Sequence, residues 1–258
     1  MIPSFVHSFQ SEWLKKKRSA AVWLVMIGGF FIPAIMLIAR FNDFNNLATH
    51  NGSPQVWEML YKKCWQFMGL FLLPMGVIMA TSLITQIEFR NNTWKQVHAT
   101  PQKLTTIFFS KLLVILTMMM QFFILFNLGI YLTGIIPALL FKKIPFPNQS
   151  ITLMFLIKQN LPYFISCLPV IGFQYLIGLQ FKNFLVSIGA GLGLLVAALI
   201  AIPWKFGYII PYVYSAYTFL ASNGVSNPLA NIQVWAIGYF ILFIVVGYIL
   251  YINRREKG

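Results

Sequence analysis

Charged residues are scarce in this chain, and acidic residues most of all. Its 258 residues include 5 Asp and Glu, and all charged residues together make up 9%, against about 25% in ordinary soluble domains. Hydrophobic residues make up 59%. A bilayer needs about 20 apolar residues for each crossing helix. The composition therefore predicts an integral membrane protein with little room for a soluble domain.

The groups that enzymes and metal sites use are also sparse. The two cysteines, Cys64 and Cys167, belong to no CxxC pair with a nearby His, which argues against a disulfide framework and against a metal or redox site. The sequence contains no HExxH, GxSxG or Walker A motif. The apolar runs carry no ionisable residue near their centres, where an ion-coupled carrier would need one. We therefore expect no catalytic residue, no metal site and no cofactor in this chain.

Long apolar runs predict an all-α fold with six transmembrane helices in a single domain, residues 1–258. Only Lys182 and Asn183 interrupt the apolar run from Leu161 to Pro203. That run is about twice as long as one crossing, so it requires a tight hairpin near Lys182. The predicted spans are about residues 20–39, 65–85, 106–133, 162–181, 184–203 and 234–252.

An amphipathic interfacial helix is predicted over residues 4–18, before the first span. Aromatic residues recur there at fourfold spacing and form one apolar stripe, and a basic cluster follows. The interfacial residues are Phe5, Phe9, Trp13, Lys15, Lys16, Lys17 and Arg18. With six spans, twelve of the 19 Lys and Arg fall on the side of the N-terminus and seven on the other side. Basic residues favour the cytoplasmic side, which predicts that both termini are cytoplasmic.

Small and neutral polar residues within the spans are predicted to join helices. The pair Gly189-xxx-Gly193 lies on one face of the fifth span and would allow a close approach of backbones, with Gly191 between them. Gln121, Asn127 and Gln174 can form hydrogen bonds across helices, and contact with a transported molecule is the alternative role for these three residues.

Residues 86–103, between the second and third spans, carry the most informative motif. A short helix is predicted there, capped near Asn91 or Asn92 and ending before Pro101, because the residue before a proline avoids helical geometry. A solvated amphipathic connector is the alternative interpretation of the same residues.

The motif resembles the first cytoplasmic loop of the membrane subunits of ABC type-2 transporters. That loop reads Glu-x-Arg-x-x-Thr-x-Lys, followed a few residues later by Thr or Lys and then Pro. The matching residues are Glu88, Arg90, Thr93, Lys95 and Pro101, with Trp94 among them. The N-terminal helix, the six spans and an aromatic outer segment over residues 204–233 also agree with this family, in which that segment folds back into the outer leaflet.

The resemblance implies the permease subunit of an ATP-driven exporter, with residues 86–103 as the helix that couples it to its ATPase. The implied partners are two cytoplasmic ABC ATPase subunits, which bind the ATP and Mg, a second copy of this permease or a similar one, and membrane lipids. Nucleic acid is not implied. The implied location is the bacterial cytoplasmic (inner) membrane.

Residues 11–19 resemble, within that family, permeases of the lantibiotic-immunity and bacitracin-resistance group. This similarity predicts an amphipathic peptide, an antibiotic or a lipid-like molecule as the cargo. The alternatives are a membrane scaffold or assembly factor without transport, and a self-contained channel or carrier.

Overall fold

The computed structural model describes residues 2–17, 19–87, 102–147, 149–225 and 231–253. Within these ranges every regular element is helical, and six helices are long and apolar enough to cross a membrane. In chain order, spans 1 to 6 are Ala20–Asn42, Val56–Thr85, Leu104–Leu140, Leu153–Gln180, Phe184–Ala201 and Ile232–Ile252. The prediction of an all-α membrane fold with six spans is confirmed.

Two further helices lie outside the spans at the N-terminal side of the chain. Helix Ile2–Lys17 precedes span 1, and helix Phe44–Gly52 joins span 1 to span 2. Ser19 caps span 1, because its Oγ accepts a hydrogen bond from the amide of Ala21 at 3.0 Å. This cap separates the N-terminal helix from span 1 within two residues.

Span 2 is helical throughout but not uniformly α-helical. Its first part, Val56–Phe67, and its last part, Leu73–Thr85, are joined by a π-helical turn over Met68–Leu72. Pro74 lies at the start of the last part and has no amide hydrogen to donate to the preceding turn. The wider turn absorbs that loss without ending the helix.

Span 3 is much longer than the hydrocarbon core requires. Its 37 residues correspond to about 55 Å at about 1.5 Å per residue, against a core of about 30 Å. The sequence prediction for this span, residues 106–133, was shorter at both ends, because it assumed little more than one crossing, whereas the helix continues through the apolar residues 134–140.

Spans 4 and 5 are joined by a very short connection. Span 4 ends at Gln180 and span 5 begins at Phe184, with Lys182 in the middle of the turn. Asn183 caps span 5, because its Oδ1 accepts a hydrogen bond from the amide of Leu185 at 2.9 Å. An Asn at this position therefore starts a new helix directly after the previous one ends.

The bundle is held together by close helix pairs and by buried aromatic rings. The most extensive pairs are span 4 with span 6 and span 1 with span 3. At the centre, the rings of Trp65 and Tyr163 stack with their centroids 3.7 Å apart, and Phe126 meets Trp65 edge-on at 4.8 Å. Dispersion contacts of this kind replace the hydrophobic effect as the main cohesive force between helices in lipid.

The glycine contact of span 5 lies on a different face from the one predicted. A Cβ atom added to Gly189 or Gly193 would meet no atom of the described residues within 4 Å, whereas one added to Gly191 would overlap the side chains of Gln174 and Ile78. Two residues correspond to about 200° of helix rotation, so Gly191 faces the bundle and the other two glycines face away from it. Within this chain the predicted contact through Gly189-xxx-Gly193 is wrong.

The described residues after span 5, up to residue 222, form short helical pieces that pack against the bundle. Two 3₁₀ turns, Gly207–Ile209 and Pro211–Val213, lead into helix Tyr214–Ser222, which packs against span 4 and the π-helical turn of span 2. The hydroxyl of Tyr214 donates to the carbonyl of Tyr208 at 2.9 Å. Tyr214 therefore connects two parts of this segment and is buried in the core together with Tyr212 and Tyr217.

Candidate functional site

Most of the predicted coupling motif lies outside the residues that the structure describes. The residues concerned are Glu88, Arg90, Thr93, Trp94, Lys95 and Pro101, together with Arg18 of the basic cluster. Their assignment to a coupling helix stays a prediction. The structure does describe both flanks of the motif, up to residue 87 and from residue 102.

Both flanks of the motif are attached to other spans. On the first flank, Gln86 is buried, and its Nε2 donates to the carbonyls of Gly178 at 3.1 Å and Phe181 at 2.7 Å, at the end of span 4. On the second flank, the hydroxyls of Thr105 in span 3 and Tyr248 in span 6 lie 2.9 Å apart. The segment between the flanks is therefore connected at its two ends to two different helices of the bundle.

The N-terminal helix packs along span 3 through a polar stripe. Ser8, Glu12 and Lys16 recur at fourfold spacing and are the most buried of the side chains described in this helix, residues 5–17, each less than 8% exposed. Lys17 is exposed. The predicted aromatic stripe lies beside the polar one and is partly buried; it consists of Phe5, Phe9 and Trp13.

Lys16 makes the central contact between the N-terminal helix and span 3. Its Nζ donates to Gln121 Oε1 at 2.6 Å and lies 3.4 Å from the ring centroid of Trp13. Burial lowers the pKa of Lys16 to about 8, because desolvation disfavours the charged form. Lys15 forms an ion pair with Glu12 on the same helix. One lysine of the basic cluster thus contacts span 3, while its neighbour neutralises the buried carboxylate.

The three polar residues considered for a cargo path all join helices. Besides the contact of Gln121 with the N-terminal helix, Asn127 of span 3 accepts from the hydroxyl of Tyr61 in span 2 and exchanges amide hydrogen bonds of 2.9 Å with Asn160 in span 4. Gln174 of span 4 donates to the carbonyl of Ser187 in span 5 at 3.3 Å. Contact of these residues with cargo stays a prediction.

An apolar cavity of about 390 Å³ lies between spans 1, 2 and 3. Its size falls within the range of about 300–1,000 Å³ that is usual for small-molecule sites. Thr81 lines the cavity, is fully buried, and its hydroxyl has no hydrogen-bond partner among the described residues. Five methionines, whose flexible side chains adapt to irregular apolar ligands, also line it: Met68, Met75, Met79, Met118 and Met119.

The sequence over residues 8–198 matches a family described as ABC-2 family transporter protein. The chain belongs to this family. The match begins in the N-terminal helix and ends within span 5, so the contacts of that helix with span 3 and both flanks of the coupling motif lie inside it. Comparisons with curated proteins and with solved structures give no match.

Membership of the ABC-2 family confirms the resemblance seen in the sequence. This chain is a multi-pass membrane protein and a permease subunit of an ABC transporter, and the family implies association with ABC ATPase partners. Members of this family are transporter permeases, which are generally not enzymes themselves.

Several contacts of this ABC-2 permease were not foreseen from its sequence. The attachments through Gln86 and through Thr105 with Tyr248 join residues far apart in the chain, and a single sequence carries no signal for such pairs. The polar stripe of the N-terminal helix had a signal, because Ser8, Glu12 and Lys16 share a spacing of four residues.

Proposed function

We propose that this permease is driven by two cytoplasmic ABC ATPase subunits that bind residues 86–103 and the N-terminal helix. The ATPases would bind ATP and Mg, and the permease would export an amphipathic peptide, an antibiotic or a lipid-like molecule across the bacterial cytoplasmic membrane, with both termini in the cytoplasm. The observation that carries the proposal is the attachment of both flanks of residues 86–103 to other spans.

Those two attachments give a route by which movement of the segment would reach the bundle. A displacement at the first flank acts on span 4 through Gln86, and one at the second flank acts on span 6 through Thr105 and Tyr248. Spans 4 and 6 also form the most extensive helix pair within the described part of the chain. Binding of an ATPase would therefore bias one arrangement of this helix pair over another, which is how a ligand shifts a conformational equilibrium.

The N-terminal helix would act as a second contact for the ATPase. Its buried stripe holds it against span 3, which begins next to the coupling motif. The opposite side of the helix carries exposed residues, among them Gln10, Ser11 and Lys17. A partner bound to that side would thus act on the same span as a partner bound to residues 86–103.

The cavity between spans 1, 2 and 3 supports a cargo with an apolar part. Its lining is apolar apart from the hydroxyl of Thr81, and it reaches the lipid-facing side chains of Ile27 and Phe31, which are 61% and 48% exposed. A molecule already dissolved in the bilayer would enter it without crossing water.

The open face of span 5 supports a second permease copy. Gly189 and Gly193 have free space around them, and Leu185 on the same helix is 73% exposed. Small residues on a lipid-facing surface allow two helices to approach closely. A second copy of this chain, or a similar permease, would fit there.

Affinity purification in mild detergent from the native host, followed by native mass spectrometry, tests the proposal. We expect two ATPase chains for each permease dimer. Charge reversal by Glu88→Lys or Arg90→Glu should reduce ATPase recovery at least about tenfold, since loss of a paired charge weakens an interface strongly. Lys142→Glu is the control, because Lys142 is exposed and lies outside residues 86–103; it should retain the ATPase.

Two results would contradict the proposal. Repeated purification of the permease without an ATPase would favour a scaffold, or a self-contained channel or carrier. Equal ATPase recovery with the wild type, both charge-reversal variants and the Lys142→Glu control would show that the coupling motif is not the contact.

A further inference from the structure

Arg40, in the last turn of span 1, has a guanidinium group that the protein only partly satisfies. Its Nη2 donates to Asn51 Oδ1 at 2.6 Å, and Asn51 is itself fully buried and donates from Nδ2 to the carbonyl of Pro145 at 2.6 Å. The other nitrogen, Nη1, is buried and has no hydrogen-bond partner among the described residues. The described residues thus fix the orientation of this guanidinium and leave its Nη1 group without a partner.

The described part of the chain also provides no carboxylate ion pair for Arg40. The nearest acid along the chain, Asp43, accepts a hydrogen bond from Asn46 at 2.9 Å and lies 4.0 Å from His50 Nε2. An arginine stays charged at every physiological pH. The carbonyls at the end of span 1 favour a cation at this position, but they do not pair with Nη1.

A pocket of about 100 Å³ lies beside Arg40. Lys63 and His50 line it together with Asp43, so its lysine and arginine outnumber its single acid. The remaining wall is apolar and includes Met36 and Leu47. The pocket therefore combines a cationic patch with an apolar wall.

We propose that this pocket binds the phosphate group of an anionic phospholipid, in the leaflet on the side opposite the N-terminal helix. Span 1 starts at residue 20 beside that helix and reaches Arg40 after about 20 residues, the length that crosses the hydrocarbon core. Arg40 therefore lies at the depth of lipid headgroups. The remaining Nη1 donates to a phosphate oxygen in a charge-assisted hydrogen bond, and the apolar wall faces the upper part of an acyl chain.

The neighbouring residues Lys62 and Lys63 allow the site to be tested by comparing two lysines on the same helical turn. Both lysines are exposed on span 2, but only Lys63 lines the pocket. Binding of the phospholipid should depend on Lys63 and not on Lys62. This inference does not depend on the proposed ATPase partner, because it concerns the permease alone.

Native mass spectrometry of the purified permease in detergent, titrated with phosphatidylglycerol, tests the site. Phosphatidylcholine with the same acyl chains is the zwitterionic comparison and should bind at least about tenfold more weakly. Arg40→Gln should weaken binding of phosphatidylglycerol at least about tenfold, and Lys63→Gln by about threefold. Lys62→Gln should bind like the wild type.

The outcomes that overturn the inference are distinct. Equal binding of the two lipids would show that the site does not recognise lipid charge. Equal losses of phosphatidylglycerol affinity in Lys62→Gln and Lys63→Gln would indicate a diffuse effect of surface charge. Displacement of phosphatidylglycerol by an equal concentration of inorganic phosphate would show a site for the bare anion and not for a lipid. If Arg40→Gln does not fold, the comparison of Lys62→Gln with Lys63→Gln still tests whether the lipid binds in this pocket.

Discussion

The hydroxyl groups of Thr105 and Tyr248 lie 2.9 Å apart and join the first turn of span 3 to the last part of span 6. Thr105 follows the coupling motif within a few residues, whereas Tyr248 is 143 residues further along the chain. This contact connects the segment proposed to bind the ATPase with the last span of the permease.

Removing this hydroxyl contact should weaken the coupling more than it weakens the fold. Thr105→Val and Tyr248→Phe each keep the shape of the side chain and delete one partner of a part-buried hydrogen bond. We expect a loss of about 0.5–1.5 kcal/mol in unfolding free energy and a several-fold loss of ATPase activity in the purified complex. Thermal unfolding and ATPase assays on the same preparations measure the two effects.

Thr117→Val is the matched control for the hydroxyl deletions. Thr117 lies on the same span, and its exposed hydroxyl donates a hydrogen bond of 2.7 Å to the carbonyl of Leu113 in its own helix. An equal loss of ATPase activity in Thr117→Val and Thr105→Val would contradict a specific role of the contact with span 6.

The stability of the N-terminal helix contact should depend on pH through Lys16. Its pKa is lowered from 10.5 to about 8 in the folded protein, so between these values the unfolded chain binds more protons. Stability therefore rises as the pH increases from about 8 to about 10.5, and below pH 8 the full cost of burying the charge is present. Lys16→Met removes this titration.

Unfolding temperatures measured between pH 7 and pH 10.5 check this dependence. Relative to Lys16→Met, the wild type should gain about 2–4 °C over that range. Lys17→Met is the control, because Lys17 is adjacent and exposed. Its unfolding temperature should change with pH in the same way as that of the wild type. A wild type that loses stability relative to Lys16→Met above pH 8 would show that the charged form is the one that the fold favours.

Two adjacent buried hydroxyls in span 2 should respond oppositely to removal. Thr81 lines the apolar cavity with a buried hydroxyl that has no partner among the described residues, whereas the hydroxyl of Ser82 lies 2.9 Å from that of Ser187 in span 5. Thr81→Val should leave the unfolding free energy unchanged or raise it by up to about 1 kcal/mol, and Ser82→Ala should lower it by about 0.5–1.5 kcal/mol. Thermal unfolding in detergent measures both, and a destabilised Thr81→Val would mean that this hydroxyl is paired.

Glycine substitutions in span 5 should separate the contact inside the chain from the open face. A methyl group at Gly191 would overlap Gln174 and Ile78, so Gly191→Ala should lower the unfolding free energy by about 1–3 kcal/mol. Gly189→Ala has free space and serves as the matched variant; in the monomer it should be neutral or slightly stabilising. Unfolding of the monomeric protein compares the two, and equal losses would place both glycines in contact with the bundle.

The sequence alone was sufficient for the fold class but not for the helix faces. Long apolar runs predicted the six spans, because a membrane helix needs a fixed length of apolar residues whatever its neighbours are. Gly191 lies on the face of span 5 that contacts Gln174, and which face makes that contact depends on how span 5 is rotated in the bundle. A span that is apolar all around has no polar side from which that rotation could be read.

The candidate site was predictable only where it rests on local spacing. The motif from Glu88 to Pro101 and the basic cluster at Lys15 to Arg18 are contiguous in the chain and were recognised as patterns. The attachments of Gln86 to span 4 and of Thr105 to Tyr248 are pairings between distant segments. Such pairings follow from the packed arrangement of the helices.

The short connection between spans 4 and 5 limits how far these two helices can separate. From Gln180 to Phe184 the chain takes four steps, which extend to about 14 Å at most, whereas packed helices already lie about 8–10 Å apart. Only about 4–6 Å of slack remains at this end. If spans 4 and 5 separate during the transport cycle, the connection between them must therefore act as a hinge. The two helices stay together at the hairpin, and the distance between them increases toward the other side of the membrane.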